Sequence, residues 1–362
     1  KIKVVASHLN LLRDNIQRGS AMKVRNGIIG SYFIVLSSLA HADISSVDKN
    51  SILNALTTNI KSKYVEIKKI DKISSALAKF KVSPAYSNSQ TQEQFASLLT
   101  AELQNIDKHF AVQWQNPNES QGRQTKYESW FAKLSRKNSG FNRVEILDGN
   151  IGYVDFWGFD ALSDNSRKVA EGVMGFVSNV DALIFDLRKN GGGSAEMVQL
   201  ISSYFLKPNT HLNSIYWRTT DTTREFRTFD KVNGSVRLTT PIYILTSRDT
   251  FSAAEEFAYN LKHLKRAKLV GETTKGGANP WQFYELGNGF RAGIPIAKAV
   301  NPKTKTNWES VGVKPHIEVS RDNALDIAYK MALNDVKKSV SDEYQVKEIS
   351  DKLQELSLNK QG

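Results

Sequence analysis

Apolar positions follow two different rhythms along this chain. Between residues 43 and 110 they recur at helical spacing: Ile52, Leu53, Leu56, Ile60 and Tyr64 in one run, Phe95, Leu98, Leu99 and Leu103 in another. Recurrence every three or four places marks one buried face of an α-helix. Pro84 and the polar stretch Ser87–Gln94 separate the two groups, so the pattern predicts a small helical N-terminal domain. From about residue 150 the texture changes. Ile151–Phe156 alternates like a strand, Arg167–Val177 is helical, and Ala182 to Phe185 is a continuous apolar run. Such a run fits a strand buried on both faces. Asn190-Gly191-Gly192-Gly193-Ser194 then leads into a helix that reaches about Leu206. Pro241–Leu245 repeats the buried-strand pattern, and a helix runs from Ser252 to about Lys265. Lys268–Val270 is strand again, residues 281–319 hold short strands and turns, and a helix from Asn323 precedes a charged helical tail. Strands alternating with helices predict an α/β layered core.

The first 42 residues break the pattern. Met22-Lys23-Val24-Arg25 is basic, Gly27 to Leu39 is apolar, and Ala40-His41-Ala42 offers small residues at the two positions a signal peptidase reads. That layout predicts a signal peptide cleaved before Asp43. The apolar run is too short for a spanning helix, which needs about 20 residues. Residues 1–42 are therefore read as leader plus signal peptide, 43–120 as the helical domain, 121–335 as the core and 336–362 as the tail. A periplasmic or secreted location follows as an expectation.

Composition narrows the chemistry by exclusion. The 362 residues include no cysteine, which removes disulfides, thiolate metal sites and a cysteine nucleophile. The net charge is +12, but the basic residues are scattered, without the clustered footprint of a nucleic-acid binder. No metal site and no organic cofactor are expected, and the expected partner is a peptide or protein substrate.

Two strand-to-helix corners carry the chemistry. In the first, glycines let the chain turn at positive φ, and a helix start adds free N–H donors. That combination suits an anion or a developing oxyanion, but it also serves as a plain tight turn. The second is Thr246-Ser247-Arg248-Asp249-Thr250-Phe251-Ser252-Ala253-Ala254-Glu255. Ser252 with Glu255 three places on reads as a capping box, and equally as a nucleophile presented at a corner, with the next N–H as an oxyanion donor. The G-x-S-x-G elbow is absent. A serine nucleophile needs a base. Of six histidines, His8 and His41 lie in the leader, and His263 sits eleven residues along the same helix, about 16 Å away. His109, His211 and His316 remain, and spacing does not choose among them.

The segments Asp181–Gly193 (DALIFDLRKNGGG), Thr246–Glu255 (TSRDTFSAAE), Leu269–Gly277 (LVGETTKGG) and Asn307–Val319 (NWESVGVKPHIEV) together resemble the carboxyl-terminal processing, or tail-specific, serine peptidases. The branch looks like the bacterial homologues of interphotoreceptor retinoid-binding protein and the tricorn protease core. The likeness spans roughly residues 60–320. It implies a crotonase/ClpP-like core of β-β-α units. It also selects a base: the position of the tail-specific lysine is Gly277 here, and Lys275 is two residues off. The tricorn-like histidine is matched by His109 in Asp107-Lys108-His109, and its glutamate by Glu309 ahead of Gly312-Val313-Lys314-Pro315. The resemblance thus implies a Ser252, His109, Glu309 triad, with backbone N–H groups of Gly192 (or its neighbour) and Ala253 as the oxyanion hole. Lys108 replaces the serine that precedes the tricorn histidine. Between His109 and Ile151 there is no room for the PDZ domain that tail-specific proteases usually carry. The competing expectations are a non-catalytic binding protein for a retinoid, fatty acid or other apolar ligand, and a scaffold with a blocked triad.

Overall fold

The computed structural model describes residues 44–117 and 128–358. The leader and signal segment assigned to residues 1–42 lies outside the described residues. Four helices come first: α1 (Ser46–Lys63), α2 (Ile70–Lys81), α3 (Pro84–Asn88) and α4 (Gln92–Gln104). Their starts follow from capping chemistry. Ser45, Ser83 and Thr91 each accept from a backbone N–H of the first turn, which satisfies donors that helix starts otherwise leave free.

Strand β1 (Ala111–Trp114) follows, then α5 (Trp130–Arg136), β2 (Phe141–Leu147), β3 (Ile151–Phe156), α6 (Asp164–Phe176), β4 (Ala182–Asp186) and α7 (Ala195–Ser203). Next come β5 (His211–Trp217), β6 (Thr222–Arg227), β7 (Ile242–Thr246), α8 (Ala253–His263) and β8 (Lys268–Gly271). The chain closes with β9 (Trp281–Gly287), β10 (Phe290–Pro295), β11 (Ala297–Val300), β12 (Ile317–Glu318), α9 (Ala324–Lys337) and α10 (Glu343–Leu358).

The architecture is mixed α/β around a six-stranded sheet in the order β12-β8-β7-β4-β3-β2. Its strands run parallel except for β2, which pairs antiparallel with β3 at one edge. All five residues of β4 and of β7 are buried, because both faces of the sheet are covered. Leu183, Phe185, Ile242 and Ile244 pack under α6, α7 and α8. Ala182, Ile184, Tyr243 and Leu245 point to the other face, under α9 and α10. The period-two alternation of a strand delivers successive side chains to the two layers. The charged tail helix α10 docks through Ile349 and Leu356, and the Glu348 carboxylate accepts from the Gly149 N–H.

The N-terminal helices share their core with chain from far downstream. Phe95, Leu99 and Leu103 of α4 pack with Leu286, Phe290, Ala292 and Ile294 of the β9–β10 hairpin. Strand β1 adds antiparallel to β10, pairing Ala111 with Gly293 and Trp114 with Phe290. Truncating the fully buried Phe95 to alanine would cost about 3–5 kcal/mol. This packing matters for the site, because it fixes the segment just before β1. Strand β2, helix α5 and the β5–β6 hairpin carry no apolar periodicity that marks them in the sequence. Among the described residues between β1 and β2, α5 is the one α-helix and no PDZ fold is present.

Candidate active site

Neighbouring parallel strands β4 and β7 have their C-terminal ends at the same end of the sheet, so the corners that follow them lie side by side. They are laced together. The Phe251 N–H donates to the Asn190 carbonyl at 3.0 Å, the Thr250 hydroxyl to the Leu187 carbonyl at 2.8 Å, and the Ser247 hydroxyl to the Arg188 carbonyl at 2.6 Å. A side chain at Gly192 would place its Cβ 2.7 Å from the Ser252 Cβ and 2.9 Å from the Ala253 nitrogen. Only glycine permits that approach, and φ at Gly192 is +90°.

Ser252 has φ 55° and ψ −120°. That backbone is unfavourable for any residue with a Cβ and costs of the order of 1–3 kcal/mol. It is held by Glu255, whose carboxylate accepts from the Ser252 N–H at 2.8 Å. The same carboxylate accepts from the N–H groups of Gly276 (2.7 Å) and Gly277 (2.9 Å) and from the Thr274 hydroxyl. Glu255 is therefore the post to which both the Ser252 corner and the 274–277 loop are tied. Burial pushes its carboxyl up to about 7.

His109 reaches this corner from the segment before β1. Its Nε2 lies 3.2 Å from the Ser252 Oγ. The other histidines are engaged elsewhere: His211 Nε2 contacts the Ser214 hydroxyl at 2.9 Å, His316 Nδ1 accepts from the Leu269 N–H at 2.9 Å, and His263 stacks on Tyr259. The His109 ring lies against Phe251, centroids 4.5 Å apart. Burial, with the positive charge of Lys275 as a smaller cause, lowers its pKa to about 3. The ring is thus neutral at physiological pH, the form that accepts a proton.

Behind the ring lie two buried carboxyls. Asp107 Oδ1 is 3.9 Å from His109 Nδ1, and the Nδ1 has no hydrogen-bond partner. Asp107 also accepts from the His109 N–H (3.0 Å), the Asn279 amide (2.8 Å) and the Tyr64 hydroxyl (3.2 Å). Glu309 accepts from the Ala278 N–H at 2.7 Å. One ligating atom from each of Asp107, His109 and Glu309 falls within 4.8 Å of the others. Glu309 thus stands beside the ring without bonding it. Burial and the Asp107 charge push Glu309 up to about 8, and burial raises Asp107 as well. Two acids this close do not ionise together readily, and that repulsion adds to the effect of burial on Glu309. Asp107 was visible in sequence only as a flank of His109, since nothing in its spacing marks it as an acid.

The backbone N–H groups beside Ser252 differ in what they can offer a ligand. The Gly192 N–H turns inward and donates to the Asn190 side chain at 2.9 Å. Gly193 lines the cavity beside Ser252 and Ala253, whereas Gly192 does not. No hydrogen-bond acceptor is found for the Gly193 or Ala253 N–H groups among the described residues.

The lysine position is filled by steric necessity. A Cβ at Gly277 would lie 2.7 Å from His109 Cε1 and 2.2 Å from Phe251 Cε2. A side chain there and the histidine exclude each other. Lys275 instead carries its ammonium over the Phe251 ring, 4.8 Å from the centroid. A cavity of about 1180 Å³ opens onto Ser252 and His109, walled by aromatic side chains including Trp130, Trp217, Phe226 and Trp281.

Residues 150–319 match the model of peptidase family S41. The chloroplastic carboxyl-terminal-processing peptidase 2 of Arabidopsis thaliana is 30% identical over 166 residues, which cover 46% of this chain and 31% of that protein. The carboxy-terminal processing protease of Bacillus subtilis is 25% identical over 170 residues, 45% of this chain and 34% of that one. The chain spans about a third of the length of these curated relatives. A crystal structure of a candidate peptidase from Parabacteroides merdae superposes with a TM-score of 0.57 at 20% identity, covering 81% of this chain and 99% of that one. A lipoprotein from Streptococcus agalactiae superposes with a TM-score of 0.50 at 16% identity, covering 79% and 96%. These structural likenesses bear on the fold.

Proposed function

The chain belongs to peptidase family S41 through residues 150–319, and from that membership we propose that it hydrolyses peptide bonds of peptide or protein substrates with Ser252 as nucleophile and His109 as general base. The observation that carries this reading is the 3.2 Å contact between Ser252 Oγ and His109 Nε2. Its support is the glycine at position 277, which leaves the ring its space.

In this reading Ser252 Oγ attacks the scissile carbonyl carbon while Nε2 of His109 takes the hydroxyl proton. The resulting imidazolium is stabilised by Asp107, whose Oδ1 lies 3.9 Å from Nδ1, with Glu309 beside the ring. The 3.9 Å gap from Nδ1 to Asp107 closes as the ring becomes charged and turns its N–H to an acceptor. The N–H groups of Gly193 and Ala253 receive the oxyanion, each worth about 3–4 kcal/mol in the transition state. The tetrahedral species collapses, the C–N bond breaks, and the amine leaves with the proton from His109. Water then repeats the sequence on the acyl-enzyme.

The aromatic walls of the cavity favour a second reading, storage of an apolar ligand without chemistry. A strained serine against a buried neutral histidine has no use in such storage, which is why the first reading is preferred. Incubation with a fluorophosphonate decides between them. Covalent mass added at Ser252, absent in Ser252→Ala, supports the peptidase. Folded protein that stays unlabelled removes it. The layout of residues 22–42 supports a periplasmic or secreted location. No helix among the described residues is long and apolar enough to cross a membrane.

A further inference from the structure

One buried acid in the cavity has no part in the chemistry above. Glu256 lies one helical turn beyond Ser252 on α8, and its N–H donates to the Ser252 carbonyl at 2.9 Å. Ser252 and Glu256 line the same cavity. Glu256 lines the catalytic cavity and is 5% exposed; the side-chain amides of Asn213 and Asn260 lie close enough to its carboxyl to favour the ionised form, while its Oε1 has no hydrogen-bond partner. A buried carboxylate oxygen without a partner is costly and calls for an explanation.

The walls around it come from the hairpin and from small residues. Ile215 and Trp217 of β5 and Phe226 of β6 form an apolar side, while Ala195 and Ala299 leave room beside them. Glu196, also on the cavity, adds a second carboxylate at this end, paired with Arg224 at 2.9 Å. The cation on the cavity lining, Arg291, is bonded to Gln113 and stacked on Phe283.

We propose that this end of the cavity receives the substrate side chain on the acyl side of the scissile bond, and that Glu256 selects a basic one, lysine or arginine. The inference rests on the peptidase reading. A basic side chain lays its methylene stem against Ile215, Trp217 and Phe226 and brings N–H donors to the free Oε1. A purely aliphatic side chain would leave Oε1 unpaired, and an acidic one would meet two carboxyls. Burial pushes Glu256 up to about 8. An arriving cation reverses that cost, and the carboxyl releases its proton to solvent.

The test compares peptidyl diphenyl phosphonates that differ only at the residue replacing the acyl-side position: lysyl, leucyl and glutamyl. Rates of covalent modification of Ser252 are read by intact mass, with a simple fluorophosphonate alongside. We expect the lysyl ester to react at least about tenfold faster than the leucyl ester and the glutamyl ester slowest, the scale of a single buried charge contact. Glu256→Gln should collapse the lysyl-to-leucyl ratio toward one. A leucyl ester that matches or outpaces the lysyl ester on wild-type protein overturns the proposal, whether or not the variant folds. If the fluorophosphonate labels Ser252 in that case, the peptidase reading survives alone; if it labels nothing, both fall.

Discussion

The two strand-to-helix corners begin from nearly the same sequence logic and end in different states. Each follows a fully buried strand, and each carries a serine at the helix start with a glutamate two or three places on. Ser194 adopts an ordinary extended backbone, φ −85° and ψ 131°, and its hydroxyl caps α7 through the N–H groups of Glu196 and Met197. Its proton goes to the Glu196 carboxylate at 2.8 Å. Ser252 has positive φ, and its hydroxyl faces a histidine brought from 143 residues away. A cap satisfies its own helix, whereas Ser252 is set against local preference by tertiary contacts. The difference lies in what surrounds each serine: Glu255 and the 274–277 loop hold Ser252, and nothing comparable constrains Ser194.

The contrast predicts a ranked series of effects. The largest is Ser252→Ala, which should abolish hydrolysis of any cleaved peptide, a loss of up to about 10⁶-fold for a residue acting as nucleophile. Circular dichroism should show an unchanged fold, because removing the hydroxyl leaves the backbone contacts to Glu255 intact. Gly277→Ala comes next. Its methyl would collide with His109 and Phe251, so the ring must move, and kcat should fall about a hundredfold for a displacement of the order of 1 Å. Steady-state kinetics on the same peptide would register it.

Glu309→Gln should cost less, about tenfold to a hundredfold, because Asp107 remains to face the imidazolium. It should also change the pH dependence of stability. Folding raises Glu309 from 4.5 to about 8. Within that window the folded protein holds a proton that the unfolded chain has released, so stability falls as pH rises. His109, lowered from 6.5 to about 3, acts in the opposite sense only below its unfolded value. Between pH 6.5 and 8 the carboxyl effect therefore stands alone. Urea denaturation should show wild type losing stability across that interval and Glu309→Gln losing less. Glu255 and Glu256, raised to about 7 and about 8, keep part of the slope in the variant. The smallest effect is Ser194→Ala, which should retain most of the activity and lose about 1 kcal/mol of stability, as for other helix caps.

The elements that carry the site were legible because their patterns are local. A continuous apolar run such as Ala182–Phe185, followed by glycines and a helix, announces a buried strand and its corner without reference to the rest of the chain. The β5–β6 hairpin was not legible. Thr222 to Glu225 are exposed, and exposed polar strands lack the alternation that marks a half-buried one. The pairing of Ser252 with one of three histidines was beyond spacing as well, since the β1–β10 register that fixes His109 joins segments far apart in sequence. The first oxyanion donor was legible only as Gly192 or its neighbour, for a related reason. Three consecutive glycines look alike in sequence, and only the inward bond from Gly192 to Asn190 separates the committed N–H from its free neighbour. Asp107 carried no signal, because a carboxyl two places before a histidine is ordinary until both are buried together.

The central claim is that His109, and not a lysine, activates Ser252. The most direct measurement is the second-order rate of Ser252 modification by a fluorophosphonate in wild type, His109→Ala and Lys275→Ala. Removal of a general base should slow the reaction about 10²–10⁴-fold, so His109→Ala is predicted to fall by that amount while Lys275→Ala stays within about threefold of wild type. A Lys275→Ala protein that no longer labels, beside a His109→Ala protein that labels at the wild-type rate, would contradict the account.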